Sequence, residues 1–524
     1  MIWSATKTKI LDFFPKISEG RQRPQFLHPL YTPNLYLCMQ SLIITVMPLS
    51  NIEPQIIWKN FSKLNAIPRP SKKEARVIEF IKQFGTDLGL PTSVDEVGNV
   101  IIKKPATAGM EDRKAVILQS HLDMVCQKNN DTVFDFDNEG IRMKVDGDWV
   151  KAEGTTLGAD NGLGVASIMS ILESNDIPHP ALEALFTIDE ETGMTGALGL
   201  QAGQLEGDIL LNLDTEEDDA FSIGCAGGVD VTATQNYDLT EGDGDAVSIT
   251  ISGLKGGHSG MDIHKGLGNA NVLLGRFLHL EIDDIQLISI DGGGLRNAIP
   301  REATASFYCG DFADYSAAFE ALKAEVMEEF QSLEPGLTIS LKKIDGGAEA
   351  LSKEDSNTIV YVLKSLHNGV YRMSPDIAGL VEASNNIARV ELKEGALSIQ
   401  CLTRSSVTST KVQVAEQLQS VFELAEMSVS TSGDYPGWKP NPDSSILKVM
   451  EQRYEALFSS KPHVEACHAG LECGIIGAHY PKMEMISFGP TIKGAHSPEE
   501  RANISSTQKF WSFLKDILSN IPKK

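Results

Sequence analysis

The sequence is short of positive charge, of paired cysteines and of long apolar runs. Its 46 Lys and Arg face 71 Asp and Glu, a formal net charge of −25. Nucleic acids and anionic membrane surfaces both require basic faces, so neither is expected as a partner. The seven cysteines (Cys38, Cys126, Cys225, Cys309, Cys401, Cys467 and Cys473) are odd in number, scattered and without a CxxC pair. That pattern fits reduced thiols in the cytoplasm and argues against a disulfide framework. The apolar stretch Leu35–Leu49 is broken by Gln40 and Ser41. It falls short of the roughly 18 residues of a membrane span, and it begins too far in to be a secretory signal.

What is present is ordinary in bulk and unusual in detail. At 524 residues the chain can hold two or three domains. Residues 1–46 differ from the rest: Met1–Asn34 is basic and Pro-rich with no clean period. They read as a poorly ordered N-terminal extension. Met47, followed by Pro48 and the helical pattern Ile52, Ile56, Ile57, Phe61 and Leu64, is the expected start of the folded chain.

From residue 50 onward helices alternate with short apolar strands. Glu74–Leu88 has an amphipathic period, and Val94–Lys103 alternates as a strand with a turn at Gly98-Asn99. Buried runs at Ala115–Leu118, Leu182–Ile188, Ile209–Leu213 and Met483–Phe488 lead towards His121, Asp189-Glu190-Glu191, Asp214 and His496 respectively. Such alternation predicts an α/β fold with a mostly parallel sheet covered on both faces. In these sheets functional groups collect beyond the carboxyl ends of the strands.

The region from about Phe221 to Ser432 has a different rhythm. It predicts strands at Ala246–Ile251, Leu287–Asp291, Ala303–Cys309, Leu337–Lys342 and Ala396–Thr403, with helices at Leu267–Leu280, Ser316–Leu333 and Lys411–Met427. Arg296-Asn297-Ala298-Ile299-Pro300-Arg301 is echoed by Asn385-Asn386-Ile387-Ala388-Arg389. The expected organisation is a discontinuous domain, 47–220 and 433–524, interrupted by a duplicated α+β insert at 221–432.

The chemistry gathers around Thr155–Thr192. Asp160 lies in the glycine-rich turn Gly158-Ala159-Asp160-Asn161-Gly162 before an apolar helical pattern, where N-capping is its simplest role. Its company suggests more. His121, Asp160, Glu191, Asp214 and His496 are all oxygen or nitrogen donors, a set that suits a hydrolytic zinc, cobalt or manganese site. Asp160, presented from a turn between strands, is the natural bridge between two such ions. Asp123, two residues past His121 on an extended chain, can hold the ring N–H. Of the adjacent Glu190 and Glu191, one can ligate while the other moves protons.

Five stretches carry a family resemblance: Ser120-His121-Leu122-Asp123-Met124, Gly158-Ala159-Asp160-Asn161-Gly162, Asp189-Glu190-Glu191-Thr192-Gly193, Asn212-Leu213-Asp214 and Gly494-Ala495-His496-Ser497-Pro498. Together they resemble the metal motifs of the M20 metallopeptidases, most closely the aminoacyl-histidine dipeptidase branch, from about Met47 to the C-terminus. The resemblance implies a di-zinc enzyme that hydrolyses dipeptides. One ion would take His121, Asp160 and Asp214, and the other Asp160, Glu191 and His496. Glu190 would be the general base and Asp123 the orienting carboxylate. The insert would be a lid that also forms a homodimer. His258 resembles the lid histidine that stabilises the oxyanion, and Arg404 with Asn297 resembles the pair that reads the substrate carboxylate. Glu472, in Ala466–Gly474, is a candidate support for a ligand. A deacylase of N-acyl amino acids or a carboxypeptidase on the same scaffold is the alternative. A catalytically dead scaffold would be expected to lack a ligand or the base, and none is missing.

Overall fold

The computed structural model describes residues 49–280 and 282–524. The expectation for residues 1–46 falls outside them.

The apolar runs form one eight-stranded sheet. Its order is Thr92–Val94, Val100–Lys104, Leu182–Thr187, Val116–His121, Ile209–Asn212, Glu484–Ser487, Ala220–Cys225 and His463–Cys467. The four central strands, from Leu182–Thr187 to Glu484–Ser487, run parallel. The first three of these are buried along their whole length, as a sheet covered on both faces requires. The first edge is an antiparallel hairpin. Its turn is closed by Asp95, whose carboxylate accepts from the N–H groups of Val97, Gly98 and Asn99. Helix Ala159–Glu173 is buried from Asn161 to Leu172 and lies between Gln55–Asn65 and the Val116–His121 strand. That position accounts for a helix that is apolar all round.

The second sheet has nine strands and is antiparallel throughout. Its order is Thr338–Lys343, Asp245–Ser252, Ala303–Cys309, Gln286–Gly293, Val381–Lys393, Ala396–Ser405, Gly227–Asn236 and Ser428–Tyr435, with Gly369–Met373 also paired to Val381–Lys393. Its separate core includes Phe277, Phe307, Tyr315, Phe319 and Phe422. Three of its helices begin on side-chain caps, Asn269, Asp311 and Ser352, each accepting from backbone N–H groups of the first turn. Asp311 starts the helix at Phe312, earlier than the periodicity expected at Ser316.

The chain passes from the first sheet to the second and back at one corner. Cys225 and Trp438 exchange two backbone hydrogen bonds of 2.9 Å there. The two echoing segments also meet, since Asn386 donates through its side chain to the carbonyls of Arg296 and Ala298. Among the described residues no helix is long and apolar enough to cross a membrane.

Candidate metal centre

The ends of the parallel strands bring the five donor residues together. His121 closes its strand with Nε2 3.2 Å from Asp160 Oδ1 and 3.4 Å from Asp214 Oδ1. His496 places Nε2 3.2 Å from Asp160 Oδ2 and 3.0 Å from Glu191 Oε2. Asp160 therefore turns one oxygen to each imidazole. Two trios result, His121–Asp160–Asp214 and Asp160–Glu191–His496, each with donor atoms within 4.8 Å of one another. Glu190 and Glu191 also come this close to His121. The oxygen and nitrogen donors, together with the buried and unpartnered Oε1 of Glu191, fit divalent cations. A third acidic group, Glu74–Asp123–Asp189, is equally close. Its carboxylates already accept from Lys72, Asp189, Ser71, Glu190, Glu191, Thr192 and Thr195, so it reads as structural.

Asp160 is not a helix cap. It sits inside the first helical turn with non-helical φ −79° and ψ 110°, the residue before the helix is Gly158, and no side-chain cap is made. The reason lies some 340 positions on, at Glu500. Its carboxylate accepts from the N–H groups of Leu157 (2.6 Å), Gly158 (2.9 Å), Ala159 (2.7 Å) and Asp160 (3.3 Å). With the turn's donors satisfied from outside, the Asp160 carboxylate is free to face the imidazoles. Asn161 donates to the Leu213 carbonyl and to Asp214 Oδ1, which fixes the third carboxylate. Asp123 lies 3.3 Å from His121 Nδ1 and accepts from the N–H groups of Glu190 and Glu191. One buried carboxylate thus orients an imidazole and the neighbouring glutamates together. Asp189 and His496 adopt left-handed φ of 53° and 61°, conformations that non-glycine residues hold only where their surroundings enforce them.

The electrostatics follow from burial and crowding. Burial alone would lower the His121 imidazole, but the carboxylates of Asp214, Asp123 and Asp160 raise it well above its ordinary value. Asp160 and Glu191 push His496 up to about 11. Burial would raise Asp123, yet His121 and Ser71 hold it at about 2. Burial raises Glu190 well above the carboxylate range, with Asp214, Glu472 and Glu191 adding to the effect. Glu216, which no motif marks, is pushed up to about 8 by burial and by Asp160 and Asp214. Such mutual repulsion is what bound cations relieve.

A cavity of about 420 Å³ opens beside these residues, lined by Glu190, Glu191, Met194, Asn297, Asp434 and Tyr435 among others. Asn297, from the second sheet's loops, therefore reaches the same space as the two glutamates. Arg404, 5 % exposed, donates from Nη1 to the Tyr435 hydroxyl at 2.9 Å and keeps a buried, unpartnered Nε. His258 is not among the residues lining that cavity. Its Nδ1 accepts from the N–H groups of Gly260 and Met261, which leaves the ring proton of the neutral form on Nε2. Burial and then Arg404 lower its pKa. His468 is likewise lowered, to about 3, by burial and by Arg404, and pairs with the Ser384 hydroxyl. Glu472 touches none of the five donors. It accepts from Gln119 and Thr187, on the two strands beneath His121, and burial pushes it up to about 7.

Sequence reasoning missed Arg69, Asn161 and Glu500. Asn161 and Glu500 lie within or next to the donor motifs, where an amide after Asp160 and a second carboxylate after His496 were visible. Nothing in the sequence around Arg69, between Pro68 and Pro70, marks it.

A family model described as peptidase family M20/M25/M40 matches residues 117–520. The chain is 44% identical over 482 residues to the cytosol non-specific dipeptidase of Escherichia coli (strain K12), which spans 91% of this chain and 99% of the relative. It is similar to the crystal structure of aminoacylhistidine dipeptidase from Vibrio alginolyticus, with a TM-score of 0.85 and 43% identity over 91% of this chain and 99% of that one. The aminopeptidase PepT from Bacillus cereus ATCC 10987, at a TM-score of 0.53 and 15% identity over 90% of this chain and 99% of that one, shares the fold.

Proposed function

The chain belongs to peptidase family M20/M25/M40, and from that premise we propose that it is a metal-dependent dipeptidase of broad specificity, Xaa-His substrates included, acting in the cytoplasm. The observation that carries the reading is Asp160 facing His121 and His496 with its two oxygens while Glu190 lines the adjoining cavity. Two divalent ions, zinc first with cobalt or manganese as substitutes, would be held by His121, Asp160 and Asp214 and by Asp160, Glu191 and His496. They would polarise the scissile carbonyl and make water nucleophilic at neutral pH.

The chain's own residues do the rest. Glu190 takes a proton from the attacking water and passes it to the leaving amine nitrogen. Asp123 accepts the proton-bearing Nδ1 of His121 and so fixes its tautomer, leaving Nε2 to face Asp160 and Asp214. Asn297, lining the cavity, and Arg404, with donors to spare, take the substrate's terminal carboxylate. His258, neutral and with its proton on Nε2, is a hydrogen-bond donor for the developing oxyanion. It lies outside the cavity lining, and closure of the second sheet over the first, or a second copy of the chain, would bring an imidazole to it. A homodimer through the 221–432 region would provide that second copy.

A substrate panel tests the reading. Dipeptides, tripeptides and N-acetyl amino acids are offered side by side, with and without chelator. Turnover confined to dipeptides and abolished by chelation is expected. Preferential release of acetate from N-acetyl amino acids, or of C-terminal residues from tripeptides, would favour the deacylase or carboxypeptidase. Sedimentation of the full chain tests the homodimer.

A further inference from the structure

Two buried residues of opposite charge, outside every motif that pointed to the site, tie its loops to one another. Arg69 is 1 % exposed. Its Nη1 donates to the carbonyls of Leu122 (3.0 Å) and Asp123 (2.8 Å), and its Nη2 donates to the Gly158 carbonyl (2.6 Å) and to Asn65 Oδ1 (3.1 Å). One planar guanidinium thereby joins the loop after His121 to the loop before Asp160. Glu500, 3 % exposed, takes the four N–H groups from Leu157 to Asp160. It lies at the end of the loop that carries His496, and its own N–H donates to the Ser497 carbonyl.

The glycines of the Asp160 loop make room for this arrangement. A Cβ on Gly158 would come within 2.5 Å of Arg69 Nη2, and one on Gly162 within 2.7 Å of the same atom. Gly158 also has φ +69°, where a side chain is strained. These two positions are therefore small because a guanidinium passes between them and the loop after His121.

We propose that Arg69 and Glu500 are positioning residues that set the spacing of His121, Asp160 and His496, and thereby decide whether the centre can hold two ions at once. Neither touches a donor atom of the five ligands; both act through the peptide groups that carry them. The proposal rests on the reading that Asp160 is shared between two ions. A shared carboxylate tolerates little displacement, because tilting its loop improves one trio only by opening the other. The pair is also hard to replace. A carboxylate presents acceptors to four N–H groups, whereas an amide turns one of its two ends into a donor facing other donors. A lysine supplies a point charge where the guanidinium supplies a fork.

Glu500→Gln and Arg69→Lys test it in the full chain. Metal-free protein is titrated with Co2+ or Mn2+ by calorimetry, and the loaded manganese form is examined for the spin-coupled signal of an ion pair. Circular dichroism and a melting curve establish that each variant folds. Expected is one ion bound as in the parent, the second weakened at least tenfold, and loss of the coupled signal. For dipeptide turnover, kcat should fall about 10- to 100-fold with KM nearly unchanged and recover partly in excess metal. A purely structural role would shift the melting curve and leave the second ion's affinity and the coupled signal alone. Two ions bound with parental affinity in a folded variant overturns the proposal. If Glu500→Gln does not fold, Arg69→Lys carries the same reading. If the parent itself binds a single ion, the shared-Asp160 reading fails instead, which the parental titration reports separately.

Discussion

The two sheets of this protein are assembled by different means. The antiparallel sheet has an aromatic core, and three of its helices start on the short polar caps that suit a helix beginning. The parallel sheet has an equally dry interior, but the tips of its strands hold charged groups crowded out of water. Asn161 Oδ1, Glu191 Oε1 and Glu472 Oε1 are all buried there without a hydrogen-bond partner. Left-handed backbone at Asp189, Met194 and His496 lies in the same neighbourhood. Unmet polar groups and enforced backbone each cost on the order of 1–3 kcal/mol. A fold carries such costs where chemistry needs them, and the second sheet shows that this chain satisfies its helix ends elsewhere.

Chemical substitution should separate the two regions cleanly. The largest effect is expected from Glu190→Gln, which should reduce kcat about 10²- to 10⁴-fold while both ions remain, checked by metal analysis beside steady-state kinetics. Loss of metal together with activity would make Glu190 a ligand and not a base. In the second sheet, Phe307→Ala should cost about 3–5 kcal/mol of stability, seen in denaturant unfolding, with metal stoichiometry unchanged. A change of stoichiometry there would mean that the two regions are less separable than their cores. Arg404 stands at the joint between them. Arg404→Lys loses the fork and should raise KM for dipeptides about tenfold or more, a cost of about 1.5–3 kcal/mol, with little change in melting temperature.

The smallest effect concerns pH. Burial raises Glu190 and Glu191, takes Glu216 to about 8 and Glu472 to about 7, from an ordinary 4.5. Between those limits the folded chain binds more protons than the unfolded one, so its stability falls as pH rises. His121 and His496, raised by their carboxylate neighbours, act in the same direction: their contribution is full below the ordinary 6.5 and is lost on the way up to the folded value, about 11 for His496. Asp123, held at about 2, opposes this only in acid, below its ordinary 3.8. Metal-free protein should therefore melt at a lower temperature at pH 8 than at pH 5.5, and saturating divalent ion should raise melting most at pH 8. A flat profile without metal would mean that water reaches the cluster freely.

Much of this was legible in the sequence because it obeys short-range rules. Apolar runs of strand length ending in His121, Asp214 or the Asp189–Glu191 triplet announce a parallel sheet with its chemistry at one rim. His121 and Asp123 share a side of an extended chain for the same reason. What escaped is what acts across the chain through peptide groups. Asp160 has every local qualification for a cap, and only Glu500, brought in by the fold, removes the vacancy it would have filled. Arg69 donates to carbonyls, and carbonyls leave no trace in a residue sequence. His258 stands in a glycine-flanked loop as expected, yet whether it lines the cavity depends on how two sheets meet, which no periodicity encodes.

The position of the Glu484–Ser487 strand has a consequence for how the protein is made. It is inserted between Ile209–Asn212 and Ala220–Cys225, two strands synthesised far earlier. While the ribosome is still adding the intervening sheet, the growing chain already carries His121, Asp160 and Asp214, but the slot between those strands stands open and His496 does not yet exist. The first trio's three residues are then all present, but Glu500, which frees Asp160 to face its partners, is made only after His496, so both trios wait for the same late segment.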